Sequence, residues 1–171
     1  MGIEKAMQFT PSKFIRLVAV TLFMVAGLFA APASAATDGP LIKTCKDTPI
    51  SNTQKVKACA SVIWGDADHT GVNGVVDVTA YKWSNPLKKW VRDDSVLVSA
   101  DIAKLYINAQ LTGGVGYPTG PQAGYASSVT RGVSSVYCGD KVFAGGKVGL
   151  WKNGQEVKVF DIWSSTATVH S

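Results

Sequence analysis

The sequence predicts an all-β protein, an immunoglobulin-like antiparallel β-sandwich of about seven or eight strands. Three observations support this fold class. Asn153-Gly154 separates two alternating runs of apolar and polar residues, and short alternating runs recur between turn signals along most of the chain. No stretch keeps a convincing helical period of apolar residues, and the strongest helical alternative covers 101–111.

The C-terminal segment, 147–163, is the clearest hairpin. An Asn-Gly pair favours a type I′ turn, because both central residues of that turn have positive φ. A two-residue turn predicts four cross-strand pairs: Lys152–Gln155, Trp151–Glu156, Leu150–Val157 and Val148–Val159. The last two pairs then share one face against a core, while Trp151 falls on the polar face and is expected to be exposed.

Alternating runs from Lys55 onward predict the remaining strands. The first runs to Trp64, and the second covers 76–81 and closes before Pro86. The third begins at 96 and shifts phase near 103 before it continues to 111, which is typical of a β-bulge. Further strands are predicted at 129–138 and, as a last edge, at 165–169.

The first 35 residues predict a secretory signal peptide. A segment with three basic residues precedes an apolar run, 17–31, and Ala33-Ser34-Ala35 supplies a small-x-small cleavage pattern. We expect cleavage after Ala35, with Ala36 as the alternative, which leaves one secreted, extracellular domain, 36–171, with no membrane attachment. An uncleaved signal anchor is the alternative reading of the same run.

The net charge of the chain without its leader is only weakly positive. The net charge of +5 falls to +3 without the leader, because 14 basic and 11 acidic residues remain after it is removed. Such a balance does not favour nucleic-acid binding, so we expect no nucleic-acid partner. We expect a monomer.

Three cysteines follow the leader, and in an exported chain they predict a disulfide with one thiol left over. A Cys45–Cys59 bond is favoured, because it closes a short polar loop, 46–58, without demanding any tertiary register. Cys59–Cys138 is an alternative. Otherwise Cys138 is expected to be buried and free, or paired between chains. No closely spaced Cys pair favours a metal site, so we expect no metal and no cofactor.

The segment from Asp66 to Asp77 resembles a calcium loop in its spacing of oxygen donors. Thr70 and Asp77 stand where the EF-hand pattern has Asp or Asn and Glu, and the flanks predict strands instead of helices. We interpret the segment as a polar loop between strands, with calcium binding as the alternative.

Catalytic signatures are absent from the sequence. His69 and His170 are the two histidines, and neither a nucleophile-elbow nor a zinc-protease motif occurs. Asp93 and Asp94 are adjacent, so in a strand their carboxylates would point to opposite faces. The sequence therefore predicts a protein that is not an enzyme, with a small hydrolase lacking a sequence signature as the alternative.

Two segments are candidates for binding. The first is a Gly- and Pro-rich stretch, 111–125, around Tyr117 and Tyr125, because a loop this long in a compact domain is usually functional or disordered. The second is Lys88-Lys89-Trp90-Val-Arg92, whose Trp among cations suits a sugar ring or an anionic wall polymer. A Lys-protected edge strand is the alternative explanation of the second segment.

Cys45, the run Lys57–Trp64 around Cys59, and Ser135-Val136-Tyr137-Cys138 before a closing hairpin together resemble small exported all-β proteins of high-GC Gram-positive bacteria. The resemblance implies an extracellular all-β domain and no particular activity. It also implies a fourth cysteine near the end in many members, where this chain has Ser164 to Val169.

The sequence thus predicts a secreted, non-catalytic binding module for an extracellular protein or a cell-surface glycan. An inhibitor or toxin acting through the Gly- and Pro-rich loop is a further alternative. The candidate binding residues are Lys88, Lys89, Trp90, Arg92, Tyr117, Tyr125 and Trp151.

Overall fold

The computed structural model of the protein describes residues 39–101, 103–112, 119–130 and 133–170. Within these ranges every regular element is a β-strand, which confirms the all-β prediction. The same ranges hold no helix that would cross a membrane. The strands belong to one compact unit, Ala36–Ser171, and the predicted leader, 1–35, lies outside the described residues.

Thirteen strands follow one another in the described residues, and four of them are only two residues long. They are β1 (Ile42–Ser51), β2 (Gln54–Trp64), β3 (Gly71–Ser84), β4 (Lys89–Arg92), β5 (Leu97–Ala100), β6 (Lys104–Ile107), β7 (Gln110–Leu111), β8 (Gln122–Ala123), β9 (Tyr125–Val129), β10 (Ser134–Ser135), β11 (Lys141–Lys152), β12 (Gln155–Trp163) and β13 (Ala167–Thr168).

The strands form two antiparallel sheets in a sandwich-like arrangement. The first sheet has the order β1-β2-β3-β10, with β4 and β9 also paired to β3. The second has the order β7-β6-β11-β5-β8, with β12 and β13 also paired to β11. The long strands β3 and β11 therefore organise one sheet each.

The core lies between the sheets and is built from alternate residues. The inward positions of β2, from Val56 to Val62, and those of β3, from Val76 to Ala80, are fully buried, as the alternation predicts. They pack with residues of the second sheet, among them Val98, Ala100 and Val148. Each sheet therefore keeps one face on the core and leaves the other face to solvent.

The segment predicted as a polar loop, 46–58, is a β-hairpin, so that prediction is wrong. β1 pairs with β2 from Ile42 opposite Val62 to Ser51 opposite Gln54. β1 was missed because it is an edge strand, in which polar and charged residues replace the apolar residues of an inner strand.

The predicted phase shift near residue 103 is confirmed: the strand is interrupted between β5 and β6, and this segment has one more residue than the part of β11 that it faces. β5 and β6 pair with the same strand, Ala100 opposite Val148 and Lys104 opposite Gly145. Four steps along the first chain segment match three steps along β11, which is the count of a β-bulge. The helical alternative for 101–111 is wrong.

The C-terminal hairpin confirms the turn and corrects the register. Asn153 and Gly154 have φ of 52° and 76°, as a type I′ turn requires. Trp151 faces Glu156 as predicted, but Leu150 then faces Lys158, because Val157 is the extra residue of a bulge. The predicted Leu150–Val157 and Val148–Val159 pairs are therefore wrong, and Val157 and Val159 are exposed.

The predicted strand at 129–138 is not continuous. β9 ends at Val129, β10 has two residues, and Cys138 lies in a turn. The predicted last edge at 165–169 is confirmed by β13, which pairs with the start of β11.

Candidate ligand-binding surface

The outer face of the first sheet brings several predicted binding residues together. Trp90 on β4 lies opposite Trp83 on β3, and the two rings meet edge to face with centroids 5.7 Å apart. Lys55 on β2 places its Nζ 4.6 Å from the centroid of the Trp90 ring. This distance is within the range of a cation–π contact.

Arg92 joins the same surface next to Tyr125. Its Nε donates to Oδ1 of Asp94 at 2.6 Å, and its Nη2 donates to the Ala123 carbonyl at 2.8 Å. The guanidinium carbon lies 5.9 Å from the centroid of the Tyr125 ring. The guanidinium is thus fixed by its partners, with Tyr125 beside it and 39% exposed.

We name this surface the basic–aromatic face, defined by Lys55, Trp83, Trp90, Arg92 and Tyr125. Lys88 and Lys89 are exposed where β4 begins, and Lys57 follows Lys55 on the same side of β2. Among the described strands β4 pairs only with β3, so it is an edge strand there, as the alternative explanation of this segment predicts.

The cations of this surface fall into two groups. Lys55 is paired with Asp47 at 2.6 Å, Arg92 with Asp94, and Lys43 with Asp77 at 3.7 Å. For Lys57, Lys88 and Lys89, no acidic group of the described chain lies within the 4.0 Å of an ion pair. Lys57 lies on this face, and Lys88 and Lys89 lie at its edge where β4 begins, so these lysines are its unpaired positive charges.

Asp93 anchors the strands beneath the basic–aromatic face. This fully buried carboxylate accepts hydrogen bonds from Gln54 Nε2 at 2.8 Å and Ser95 Oγ at 2.6 Å, and Lys82 Nζ lies 3.6 Å away. Burial alone raises the pKa of Asp93, but the hydrogen bonds from Ser95 and Gln54 and the charge of Lys82 outweigh it, so the pKa lies below its ordinary value.

Trp151 lies on β11 in the second sheet and is not part of the basic–aromatic face. It is half-buried, and its Nε1 donates to Ser99 Oγ at 2.8 Å, so the expected exposure is wrong. Its ring helps to line an open cleft of about 420 Å³ with Ile50, Leu97 and Leu150. An indole N–H commonly finds such a partner when the ring packs against a protein surface.

The Gly- and Pro-rich loop is described only in part. Residues 113–118, which include Tyr117, lie outside the described residues. The end of the loop returns to the second sheet through β8, which pairs with β5, before Tyr125 opens β9 on the first sheet.

The predicted polar loop at 66–77 is half loop and half strand. Thr70 donates to Asp66 through its backbone N–H at 2.9 Å and its hydroxyl at 3.0 Å. Asp77 lies within β3 opposite Cys59, six residues after the strand begins, which places it roughly 20 Å along the strand. The donors of the calcium alternative therefore do not converge, and burial raises the pKa of Asp77 despite the nearby charges of Lys43 and Lys57.

The structure confirms the Cys45–Cys59 disulfide. The two residues face each other across the β1–β2 pair with Cα atoms 4.1 Å apart. Cys138 is free and exposed, so the expectation that it is buried is wrong. It follows β10 in a turn, which is why no strand neighbour covers it.

Asp93 and Asp94 point to different environments, as their adjacency predicts. Asp93 is buried and Asp94 is exposed beside Arg92. Among the residues that the structure describes, no group of three or more His, Cys, Asp or Glu side chains is placed to hold a metal ion.

A second aromatic surface was missed by the sequence analysis. Tyr106, Phe143 and Trp163 come together on the outer face of the second sheet. The sequence does show Phe143, Gly145 and Lys147 at alternate positions of β11, so they share the outer face, and Gly145 leaves room there for a neighbouring side chain. The sequence does not show that Trp163 fills this room, because Trp163 lies opposite Gly145 only in the bulged register.

No protein-family model, curated protein or solved structure matches this chain.

Proposed function

We propose that the protein is a secreted, non-catalytic binding module that holds an anionic glycan polymer of a cell surface on its basic–aromatic face. One observation carries this proposal. Aromatic rings and cations alternate across one sheet face, from Lys55 over Trp90 to Arg92 and Tyr125. Rings can stack on sugar units, and the cations can meet their acidic groups.

The charge of the face supports an anionic ligand. Each acid on this face, Asp47, Asp77 or Asp94, is already engaged by a cation. Lys57, Lys88 and Lys89 are left to attract a polyanion. An open sheet face suits an extended polymer better than a small molecule, which is usually enclosed by a pocket.

The proposal also includes the compartment, the type of sandwich and the group of proteins to which the chain belongs. The mature domain follows a signal peptide cleaved after Ala35, and the Cys45–Cys59 bond suits an oxidising extracellular compartment. The two sheets follow an immunoglobulin-like arrangement, and the chain groups with the small exported all-β proteins of high-GC Gram-positive bacteria. The hydrolase and inhibitor alternatives stay hypotheses, since the tip of the Gly- and Pro-rich loop lies outside the described residues.

The test compares two triple variants of equal charge. Binding of wall teichoic acid, with dextran as the neutral control, is measured by calorimetry for Lys57→Ala/Lys88→Ala/Lys89→Ala. We expect affinity to fall about tenfold or more, because three unpaired cations are lost, and to fall further with added salt.

The matched control removes three exposed lysines elsewhere, Lys46, Lys152 and Lys158. A much smaller loss of affinity is expected for this control. Equal losses in both triple variants would show attraction by net charge alone, and would contradict a site on the basic–aromatic face.

A further inference from the structure

Trp163 lies flat against the second sheet with one ring face open. It pairs with Gly145 across the β11–β12 ladder, and a Cβ added to Gly145 would overlap Cε3 and Cδ2 of the indole. The indole ring therefore covers the backbone of Gly145, and a side chain at this position would displace the ring. Because Trp163 is still 41% exposed, its other face is available to solvent.

Two rings form a wall beside this indole. Tyr106 and Phe143 are cross-strand partners whose rings are nearly parallel, with centroids 4.8 Å apart and 2° between planes. Both are tilted by nearly 60° to the indole, at 5.9 Å for Tyr106 and 6.3 Å for Phe143. The stacked rings of Tyr106 and Phe143 therefore stand beside the indole and are inclined to its plane.

Charged groups border the indole in a concavity of about 310 Å³. It is lined by Trp163 with Asp101, Lys104, Lys147 and Asp161. None of these four charged side chains forms an ion pair or a side-chain hydrogen bond within the described residues. Their hydrogen-bonding capacity is therefore free for a ligand, and their formal charges, two positive and two negative, cancel.

A second concavity, of about 470 Å³, begins at Phe143. Its lining includes Asn108, Lys141 and Thr166, which offer further hydrogen-bonding groups. Because Phe143 lines the second concavity and its ring lies next to Trp163, which lines the first, a ligand with linked units can extend from one to the other.

From this geometry we infer a second ligand site, which binds a neutral polysaccharide chain by stacking one sugar ring on Trp163. The C–H face of a pyranose matches an open indole face, while its hydroxyls donate to Asp101 and Asp161 and accept from Lys104 and Lys147. A charge sum of zero fits an uncharged sugar and gives no attraction to a polyanion. We call this surface the indole site, defined by Trp163 and these four charged residues.

The inference goes beyond the proposed function, because it concerns the other sheet and a ligand of different charge. A purely structural role would explain why a ring covers Gly145, since aromatic residues often fill the gap beside a strand glycine. It would not explain four charged side chains kept unpaired around the ring. The test must therefore separate ligand binding from stability.

The full chain is titrated with soluble cellohexaose, xylohexaose and chitohexaose, with tryptophan fluorescence and calorimetry as readouts. We expect at least one of them to bind, with an affinity that is unchanged between about 0.05 M and about 0.5 M sodium chloride. Trp163→Ala should weaken binding about tenfold or more, since the stacking face is lost.

Two conservative variants keep the test valid if Trp163→Ala fails to fold. Asp161→Asn and Lys147→Gln change only exposed groups, and each should weaken binding several-fold while the unfolding curve stays unchanged. The triple variant Lys57→Ala/Lys88→Ala/Lys89→Ala is the matched control on the other sheet, and it should bind the hexasaccharide as the unchanged protein does.

The inference is overturned if no hexasaccharide binds at millimolar concentration, or if Asp161→Asn and Lys147→Gln both bind as the unchanged protein does. Binding that disappears at high salt would also overturn it, because that result indicates a polyanion site. If teichoic acid still binds in these cases, the proposed function stands and only the indole site fails. If a hexasaccharide binds and teichoic acid does not, the reverse holds.

Discussion

The outer faces of the two sheets use similar residues in opposite ways. On the basic–aromatic face, cations are tied to acids and rings, as in Lys55 with Asp47 and Trp90. On the second sheet, Lys147 and Asp161 are direct cross-strand neighbours, yet no ion pair joins them. Two surfaces of similar composition therefore differ in pairing: most cations of the first are tied to acids or rings, whereas the charged groups around Trp163 are not.

The two faces also differ in how they are held in place. The first sheet has a disulfide across its edge hairpin and a buried carboxylate linking its central strands. The second sheet positions Trp163 by leaving out a side chain at Gly145. Loss of the disulfide or of the Asp93 carboxylate should therefore act on stability, and loss of the charges around the indole should leave stability nearly unchanged.

The largest effect on stability is expected from the disulfide. Cys45→Ala/Cys59→Ala should lower the free energy of unfolding by about 3 kcal/mol, because the bond closes a loop with a sequence separation of 14. Urea unfolding measures this change. Cys138→Ser is the control and should change stability by less than about 0.5 kcal/mol, since the thiol is exposed and free. A comparable loss of stability in Cys138→Ser would show that the effect does not come from the disulfide.

A smaller effect is expected from Asp93→Asn. The new amide N–H₂ group faces the donor groups of Gln54 and Ser95, so about 2 kcal/mol of stability should be lost at neutral pH. Asp94→Asn changes an exposed group on the same segment and should cost much less. Chemical denaturation of both variants checks this, and equal losses would show that burial of Asp93 is not what matters.

The stability of the protein should depend on pH through Asp93 and Asp77. The pKa of Asp93 is lowered on folding, so its contribution is present above the ordinary value of 3.8 and is lost as the pH falls through the lower folded value. This acid-induced loss should be absent from Asp93→Asn. Asp77 has the opposite sign, because its raised pKa gives stability at low pH that is lost as the pH rises through the folded value. Unfolding measured across pH 2 to about 6 tests both signs.

The smallest effect is expected at the indole site. Asp161→Asn and Lys147→Gln should each change the free energy of unfolding by less than about 0.5 kcal/mol, because neither charge is paired. A double-mutant cycle measures the coupling directly. A coupling above about 1 kcal/mol would mean that the two side chains pair in solution, which would remove the contrast between the faces.

Features set by neighbouring residues were predictable from the sequence. The Asn153-Gly154 turn follows from local backbone preference, and the buried positions of β2 and β3 follow from strict alternation. The Cys45–Cys59 bond was correctly chosen, although its reason was a loop and the structure shows two paired strands. β1 was missed because an edge strand carries little apolar signal.

The binding surfaces were less predictable, because they depend on which strands become neighbours. Trp90 and Arg92 were identified from one short segment, whereas their partners Lys55, Trp83 and Ala123 come from distant positions. Trp163 was not identified, because the predicted register places Ile162 opposite Gly145. Long-range register decides such contacts, and alternation alone does not specify register.

The bulge at Val157 determines which side chain lies over Gly145 six residues later, at Trp163. If this one residue did not interrupt the ladder, Ile162 would stand opposite Gly145 and Trp163 would turn toward the interior. The bulge thus places Trp163 outside and Ile162 inside, and it sets the face of every residue from Lys158 to Trp163 in the same way. Deletion of Val157 alone would leave Lys158 opposite Leu150 and Trp163 opposite Gly145, so the bulge itself could be lost without moving the ring.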